Sequence, residues 1–134
     1  METKMMPETP TDLELTVLKA LWQTAPMTAR EIREALQREG KHLAYTSVIT
    51  TVQRMVQKKQ LEQLPPVQGK AFRFNPLLRR ETVSSGMLGE LVEKVFEGSA
   101  EAVMMSLFDV KDLDADEIAN LRKLLNKKIR ETKS

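Results

Sequence analysis

Residues 45–59 form a segment with two chemically different faces, and it constrains the fold more than any other part of the chain. Apolar side chains recur along it at helical spacing, so one face must pack on a core. These side chains are Val48, Ile49, Val52, Met55 and Val56. The opposite face has no acidic residue and carries Thr46, Ser47, Thr50, Arg54 and Gln57. Hydroxyls, amides and arginine contact phosphates and base edges, so the pattern predicts a helix that binds nucleic acid.

Positive charge is concentrated around the same segment. The formal net charge of the whole chain is only +2 over 134 residues. Between residues 41 and 75, however, Glu62 is the only acid, and the basic residues are Lys41, Arg54, Lys58, Lys59, Lys70 and Arg73. Acids elsewhere offset this local excess in the total. The charge distribution therefore favours a polyanionic partner for this region.

Composition excludes several classes of function. The chain has no cysteine and a single histidine, His42, so neither a disulfide, a thiolate metal site nor a histidine-rich metal site can form. It has no apolar run of membrane-spanning length and no secretory signal pattern. A Gly-rich phosphate loop and a nucleophile with a histidine partner are also absent. We therefore predict a cytoplasmic protein that is not an enzyme and uses no metal or cofactor.

Two helices are predicted before the two-faced segment. The first begins at Thr11 or Asp12, with Asp12 as its cap, and ends at Ala25-Pro26 because the residue before a proline avoids helical geometry. The second begins with the capping box Thr28-Ala29-Arg30-Glu31 and stops near Gly40. Three helices joined by short turns form a helix-turn-helix core.

A change of period after the third helix predicts a β-hairpin. Leu61–Leu64 and Ala71–Asn75 are the two strands, and Pro65–Lys70 is the turn between them. An isolated hairpin is marginal in water, so Phe72 and Phe74 are expected to pack against the helices. A hairpin in this position is the wing of a winged helix.

Amphipathic helices are also predicted after Pro76. Residues 76–134 are too few to bury much core alone, so their apolar stripes are expected to pack against a second copy of the chain. The predicted dimerisation residues are Leu88, Leu91, Val92, Val95, Phe96, Leu107, Ile118, Leu121, Leu124 and Leu125. The predicted fold is mostly α with a small β wing. Its parts are a flexible tail (1–10), a winged helix-turn-helix domain (11–75) and a helical dimerisation domain (76–134).

These motifs together resemble a known family, the penicillinase and methicillin-resistance repressors. The resemblance covers nearly all of residues 11–131. It rests on five pieces of sequence: Leu21-Trp22, the run from Thr46 to Lys59, Phe72-Arg73-Phe74, the junction from Val95 to Ser99, and the segment from Asp116 through Leu125. The combination is specific, whereas each piece alone is weak.

The resemblance implies a homodimeric winged-helix repressor that occupies promoter DNA. The third helix would enter the major groove, the wing would lie along the DNA backbone, and residues after Pro76 would join the subunits. Half-sites close to TACA and TGTA are also implied. In the antibiotic-resistance members, a membrane sensor protease triggers cleavage beside an asparagine. The equivalent bond here joins Ser106 to Leu107, so the asparagine is missing, and the cysteine motif of copper-responsive members is missing too.

The candidate DNA contacts fall into two groups. On the third helix they are Tyr45, Thr46, Ser47, Thr50, Thr51, Arg54 and Lys58. On the wing and at the start of the second helix they are Thr28, Ala29, Arg30, Lys70 and Arg73.

Each group has a structural alternative. Arg54 could pair with a carboxylate, Thr46 could be a helix cap, and Thr51 could be buried. Thr28 could serve only as part of a capping box, and Arg73 could serve only to keep the sheet edge soluble. Two functions therefore stay open. One is a repressor that binds palindromic double-stranded operator DNA as a homodimer, and the other is a winged helix that contacts another protein and does not bind DNA.

Overall fold

The computed structural model describes residues 9–69 and 71–133, which are mostly helical with one small sheet. Most of the predicted tail, residues 1–8, and Lys70 of the predicted wing lie outside the described residues. The elements are α1 (Asp12–Gln23), β1 (Met27–Thr28), α2 (Ala29–Arg38), α3 (Tyr45–Gln57), β2 (Leu61–Leu64), β3 (Arg73–Pro76), α4 (Arg80–Lys94), α5 (Ala100–Val110) and α6 (Ala115–Lys133). Their order confirms the predicted fold class, and β1 is the one element that was not predicted.

Capping boxes begin the first two helices. The Thr11 hydroxyl accepts a hydrogen bond from the Glu14 N–H (3.2 Å), and the Glu14 carboxylate accepts one from the Thr11 N–H (3.0 Å). Thr28 and Glu31 make the same reciprocal pair at α2, as predicted. The prediction that Asp12 caps the first helix was wrong, because Thr11 occupies that position and Asp12 is already helical.

The turn between α2 and α3 depends on Gly40. Its φ of +85° lies in the left-handed region, and a Cβ there would meet no atom within 4 Å. The glycine is therefore needed for its backbone angle rather than for space. The Lys41 N–H then donates to the Leu36 carbonyl (2.9 Å), which closes the end of α2 near the predicted position.

The helices α1, α2 and α3 enclose the core. The side chains at its centre are less than 2% exposed: Val17, Leu18, Leu21, Ile32, Leu36, Val48, Val52, Met55 and Leu61. Ile49 and Val56 are partly buried against them. The predicted apolar face of α3 is thus confirmed, and the helix is held from one side along its length.

The sheet has three antiparallel strands in the order β1-β3-β2. Phe74 of β3 lies opposite both Met27 and Gln63 and is buried, as predicted. The prediction that Phe72 also packs inward was wrong, since its side chain is 50% exposed. The strand begins only at Arg73, so the alternation that would turn Phe72 inward does not reach it. The two-residue strand β1 is too short to show an alternating pattern in the sequence.

The start of α4 packs with the winged helix. The Trp22 Nε1–H donates to the Leu78 carbonyl (2.8 Å), and the Arg80 guanidinium lies 4.9 Å from the centre of the Trp22 ring. Leu78 and Val83 belong to the same buried core. One compact unit ends at Gly89 and the next begins at Glu90. The predicted boundary after Asn75 is therefore too early, because apolar residues beyond Pro76 complete the core.

The second unit contains α5 and α6. Ser99 caps α5, with its hydroxyl accepting from the Ala102 N–H (3.0 Å). Asp114 and Glu117 form a reciprocal capping pair at the start of α6. No residue of α5 or α6 is buried. The apolar stripes of both helices are therefore largely uncovered in a single chain.

Candidate nucleic-acid interface

The polar face of α3 is presented to solvent. Tyr45, Thr46, Ser47, Thr50, Gln53, Arg54 and Gln57 are all exposed. Ala44 precedes the helix and provides no side-chain cap, so the interpretation of Thr46 as the helix cap was wrong. Within the described part of the chain, the hydroxyls of Thr46, Ser47 and Thr50 have no hydrogen-bond partner. They are therefore available to an external acceptor or donor.

Arg54 projects from the same face. The alternative prediction, a pairing with a nearby carboxylate, finds no support, because Arg54 forms no ion pair or hydrogen bond with any described residue. An exposed guanidinium of this kind can bind guanine bidentately or pair with a phosphate. The helix beneath it is fixed by the buried side chains of Val52 and Met55.

Thr51 does not belong to this face. Its side chain is only 4% exposed, and its hydroxyl donates to the Ser47 carbonyl (2.8 Å). The prediction that Thr51 contacts DNA was wrong, and its structural alternative, burial, is what occurs. The hydroxyl is accommodated because a threonine in a helix can bond the carbonyl one turn earlier.

Lys58 has a partner, Glu14, that its sequence neighbours do not indicate. Its Nζ lies 2.9 Å from Oε2 of Glu14, whose side chain is 1% exposed. The Gln60 amide lies 3.4 Å from the other carboxylate oxygen of Glu14. These contacts join the start of α1 to the end of α3 and to the residue before β2. Because its ammonium balances a buried carboxylate, Lys58 has a structural role, whereas a DNA contact was predicted.

Glu14 is ionised in spite of its burial. Burial by itself raises the pKa of this carboxyl. Hydrogen bonds from Lys58, the Thr11 N–H and Gln60 favour the charged form, as does the positive charge of Lys58. Together these contacts bring the pKa of Glu14 below its usual value. A glutamate between Leu13 and Leu15 in a mostly apolar helix was the sequence signal that could have revealed this pair.

The wing and the start of α2 supply the remaining candidates. Arg73 is half-buried, and its guanidinium donates to the Pro65 carbonyl from Nε (3.3 Å) and Nη2 (3.2 Å), which ties the two sides of the hairpin together. Thr28 is engaged in its capping box, and the Ala29 side chain is buried. Arg30 is exposed. At this helix start, backbone N–H groups and Arg30 are therefore the groups suited to a phosphate.

Within residues 9–69 and 71–133, no helix is long and apolar enough to cross a membrane. No cluster of His, Asp or Glu side chains there could hold a metal ion.

The structure combines a helix-turn-helix core, a short sheet with a wing, and a helix α3 whose polar face is exposed while its apolar face packs on the core. These features define a winged helix-turn-helix protein. A profile of the penicillinase repressor family matches residues 10–127, and the chain belongs to that family. This confirms the family predicted from the sequence, whose members are transcriptional regulators rather than enzymes.

Two individual relatives agree with this assignment. The transcriptional regulator BlaI of Mycobacterium tuberculosis is 34% identical over 116 residues, which cover 85% of this chain and 80% of that protein. The methicillin resistance regulatory protein MecI of Staphylococcus aureus is 24% identical over 115 residues, covering 86% and 91% respectively. A solution structure of the DNA binding domain of the repressor BlaI is 21% identical with a TM-score of 0.48, and the match covers 60% of this chain and 93% of that one.

Proposed function

We propose that this protein is a cytoplasmic transcriptional repressor that binds a palindromic operator as a homodimer and blocks access to the promoter. The observation that carries the proposal is the exposed face of α3, where hydroxyls and Arg54 have no partner among the described residues and stand opposite a face buried at Val48, Val52 and Met55. A helix fixed in this way can enter the major groove, which is about 12 Å wide. No catalytic activity is part of the proposal.

The proposed DNA contacts are divided between base edges and the phosphate backbone. Base contacts are assigned to the exposed residues of α3: Tyr45, Thr46, Ser47, Thr50 and Arg54. Backbone contacts are assigned to Arg30, the N–H groups at the start of α2, and the wing with Lys70 and Arg73. Because Arg73 also bonds to Pro65, its phosphate contact would use the guanidinium edge that remains exposed.

The exposed apolar stripes support the homodimer. Leu88, Leu91, Val95, Ile118, Leu124 and Leu125 are each between 44% and 64% exposed, and removing such apolar surface from water is favourable. A second copy supplies the same stripes and so covers them symmetrically. Two α3 helices related by a dyad would then meet successive major grooves, with half-sites about 10 base pairs apart or a multiple of that.

The last part of the proposal concerns release from the operator. Ser106-Leu107 is the candidate cleavage position, and a sensor or protease is the candidate partner. The bond lies inside α5, so a protease would require local unfolding of that helix before it could cut.

Selection of bound fragments from random DNA tests the proposed function. We expect enrichment of dyad-symmetric sites with half-sites close to TACA and TGTA. Enrichment of a sequence without dyad symmetry would contradict the homodimer on a palindrome. If no sequence is enriched at low salt, the alternative of a winged helix that contacts protein would be favoured.

A further inference from the structure

The second half of α6 carries an excess of positive charge that the proposed contacts do not use. Between residues 122 and 133, Glu131 is the only acid, and the basic residues are Arg122, Lys123, Lys127, Lys128, Arg130 and Lys133. All of these side chains are exposed. The other acids of α6, Asp116 and Glu117, lie instead in its first turn.

Three of these cations share one face of the helix. Lys123, Lys127 and Arg130 follow one another at spacings of four and three residues, which places them along one side. The apolar stripe runs along another side, and Lys127 lies about 180° around the helix axis from Ile118. We call the surface formed by Lys123, Lys127 and Arg130 the cationic face. Together with Asn120, Asn126 and Leu124, which belongs to the apolar stripe, these residues line an open groove of about 590 Å³.

Interactions within the chain account for little of the charge on the cationic face. Like charges at these spacings weaken a helix, and Lys123 has no acid three or four residues away to offset its charge. Neither Lys123 nor Lys127 forms an ion pair or hydrogen bond with another described residue. The helix dipole favours cations in the last turn, which accounts for Arg130 but not for Lys123.

We propose that the cationic face binds phosphates of the DNA backbone, in addition to the contacts made by α3. This inference rests on the proposed function, which supplies the polyanion. A phosphate backbone offers repeated negative charges to Lys123, Lys127 and Arg130, and the neighbouring asparagine amides can donate to phosphate oxygens. Ile118, Leu121 and Leu125 of the apolar stripe are on the other side of α6, so a second copy can cover them while Lys123 and Lys127 stay exposed.

The double variant Lys123→Gln/Lys127→Gln tests this inference in the full-length protein. Binding to the selected operator and to random duplex is measured between about 50 and 200 mM salt. Each lost phosphate contact should lower the magnitude of the log–log salt slope by about 0.9, and the proposed dimer loses up to four lysine contacts, so we expect a fall of about 2–4. Affinity should fall by the same factor on both DNAs, since backbone contacts carry no sequence information. Sedimentation checks that the variant assembles like the wild type.

The matched control is Lys94→Gln/Lys111→Gln, which removes the same charge from two other exposed lysines of the second unit. If the control lowers the slope as much, net charge rather than the cationic face is responsible, and the inference is overturned. An unchanged slope and affinity in the test variant overturn it as well, and leave an acidic protein as the partner of this face. In both cases wild-type operator binding still supports the proposed function, whereas a wild type that binds no DNA contradicts the function itself.

Discussion

Arg54 is the residue whose removal should most affect sequence recognition. Its guanidinium is exposed on α3 and has no partner among the described residues. Arg54→Ala should weaken operator binding by about 1–3 kcal/mol and relax the preference at one base position. Titration of operator and random duplex with both proteins measures the effect. Equal losses on the two DNAs would instead identify a phosphate contact, and Arg38→Ala, at an exposed arginine of α2, is the control.

Glu14 makes the stability of the fold depend on pH. Its pKa in the folded protein lies below its usual value, so the carboxylate is the form that folding favours. The stability this provides is fully present above the pKa of the unfolded chain, about 4.3, and is lost as the pH falls through the lower folded pKa.

Glu14→Gln should therefore make the free energy of unfolding depend less on pH in the acid range. The variant leaves Lys58 without its charged partner, so we expect a lower free energy of unfolding at pH 7, by about 1–3 kcal/mol. The difference from wild type should shrink below pH 4, and urea unfolding between pH 3 and 7 measures it. Glu34→Gln changes an exposed glutamate of α2 and serves as the control. A difference that stays constant with pH would mean that Glu14 does not titrate with folding.

At the scale of elements, α4 contains a glycine, Gly89, that is required neither by a tight contact nor by a left-handed backbone angle. Gly89 lies in the helix, and a Cβ there would meet no atom within 4 Å. Gly89→Ala should raise the free energy of unfolding by about 0.5–1 kcal/mol, because alanine restricts the unfolded chain and favours the helix. Gly40→Ala should have the opposite effect, since a φ of +85° is strained for any other residue. Thermal unfolding followed by circular dichroism compares the two. Destabilisation by Gly89→Ala would indicate that α4 bends at this point.

Elements with strong local signals were predictable. The capping box at Thr28, the left-handed Gly40 and the helical spacing of the apolar residues in α3 act within a few residues, so the sequence alone reveals them. The capping box at Thr11 has the same form, although Asp12 was predicted as the cap. By contrast, β1 exists because Met27 and Thr28 pair with β3, some 45 residues later in the chain. No local pattern signals such a short strand.

At the scale of the whole molecule, the exposed stripe of α6 leads to a test of assembly. Leu125→Asp should convert the proposed dimer to a monomer, because a carboxylate would be buried in its apolar interface. Sedimentation over a range of concentrations measures the change. Asn126→Asp adds the same charge at the adjacent position and should leave the dimer intact. A dimer that persists in Leu125→Asp would place the interface elsewhere.

Many structural features of this protein follow from local sequence patterns alone. The sequence by itself determined the helices, the wing, the family and the polar face of α3, because periodicity, caps and charge patterns are properties of neighbouring residues. Tertiary structure decided which polar side chains of α3 are free. It buried Thr51, exposed Phe72, and paired Lys58 with Glu14 across 44 positions of the chain. It also carried the first unit to Gly89 through the packing of Leu78 and Val83. These outcomes depend on contacts between distant residues, which a local pattern does not record.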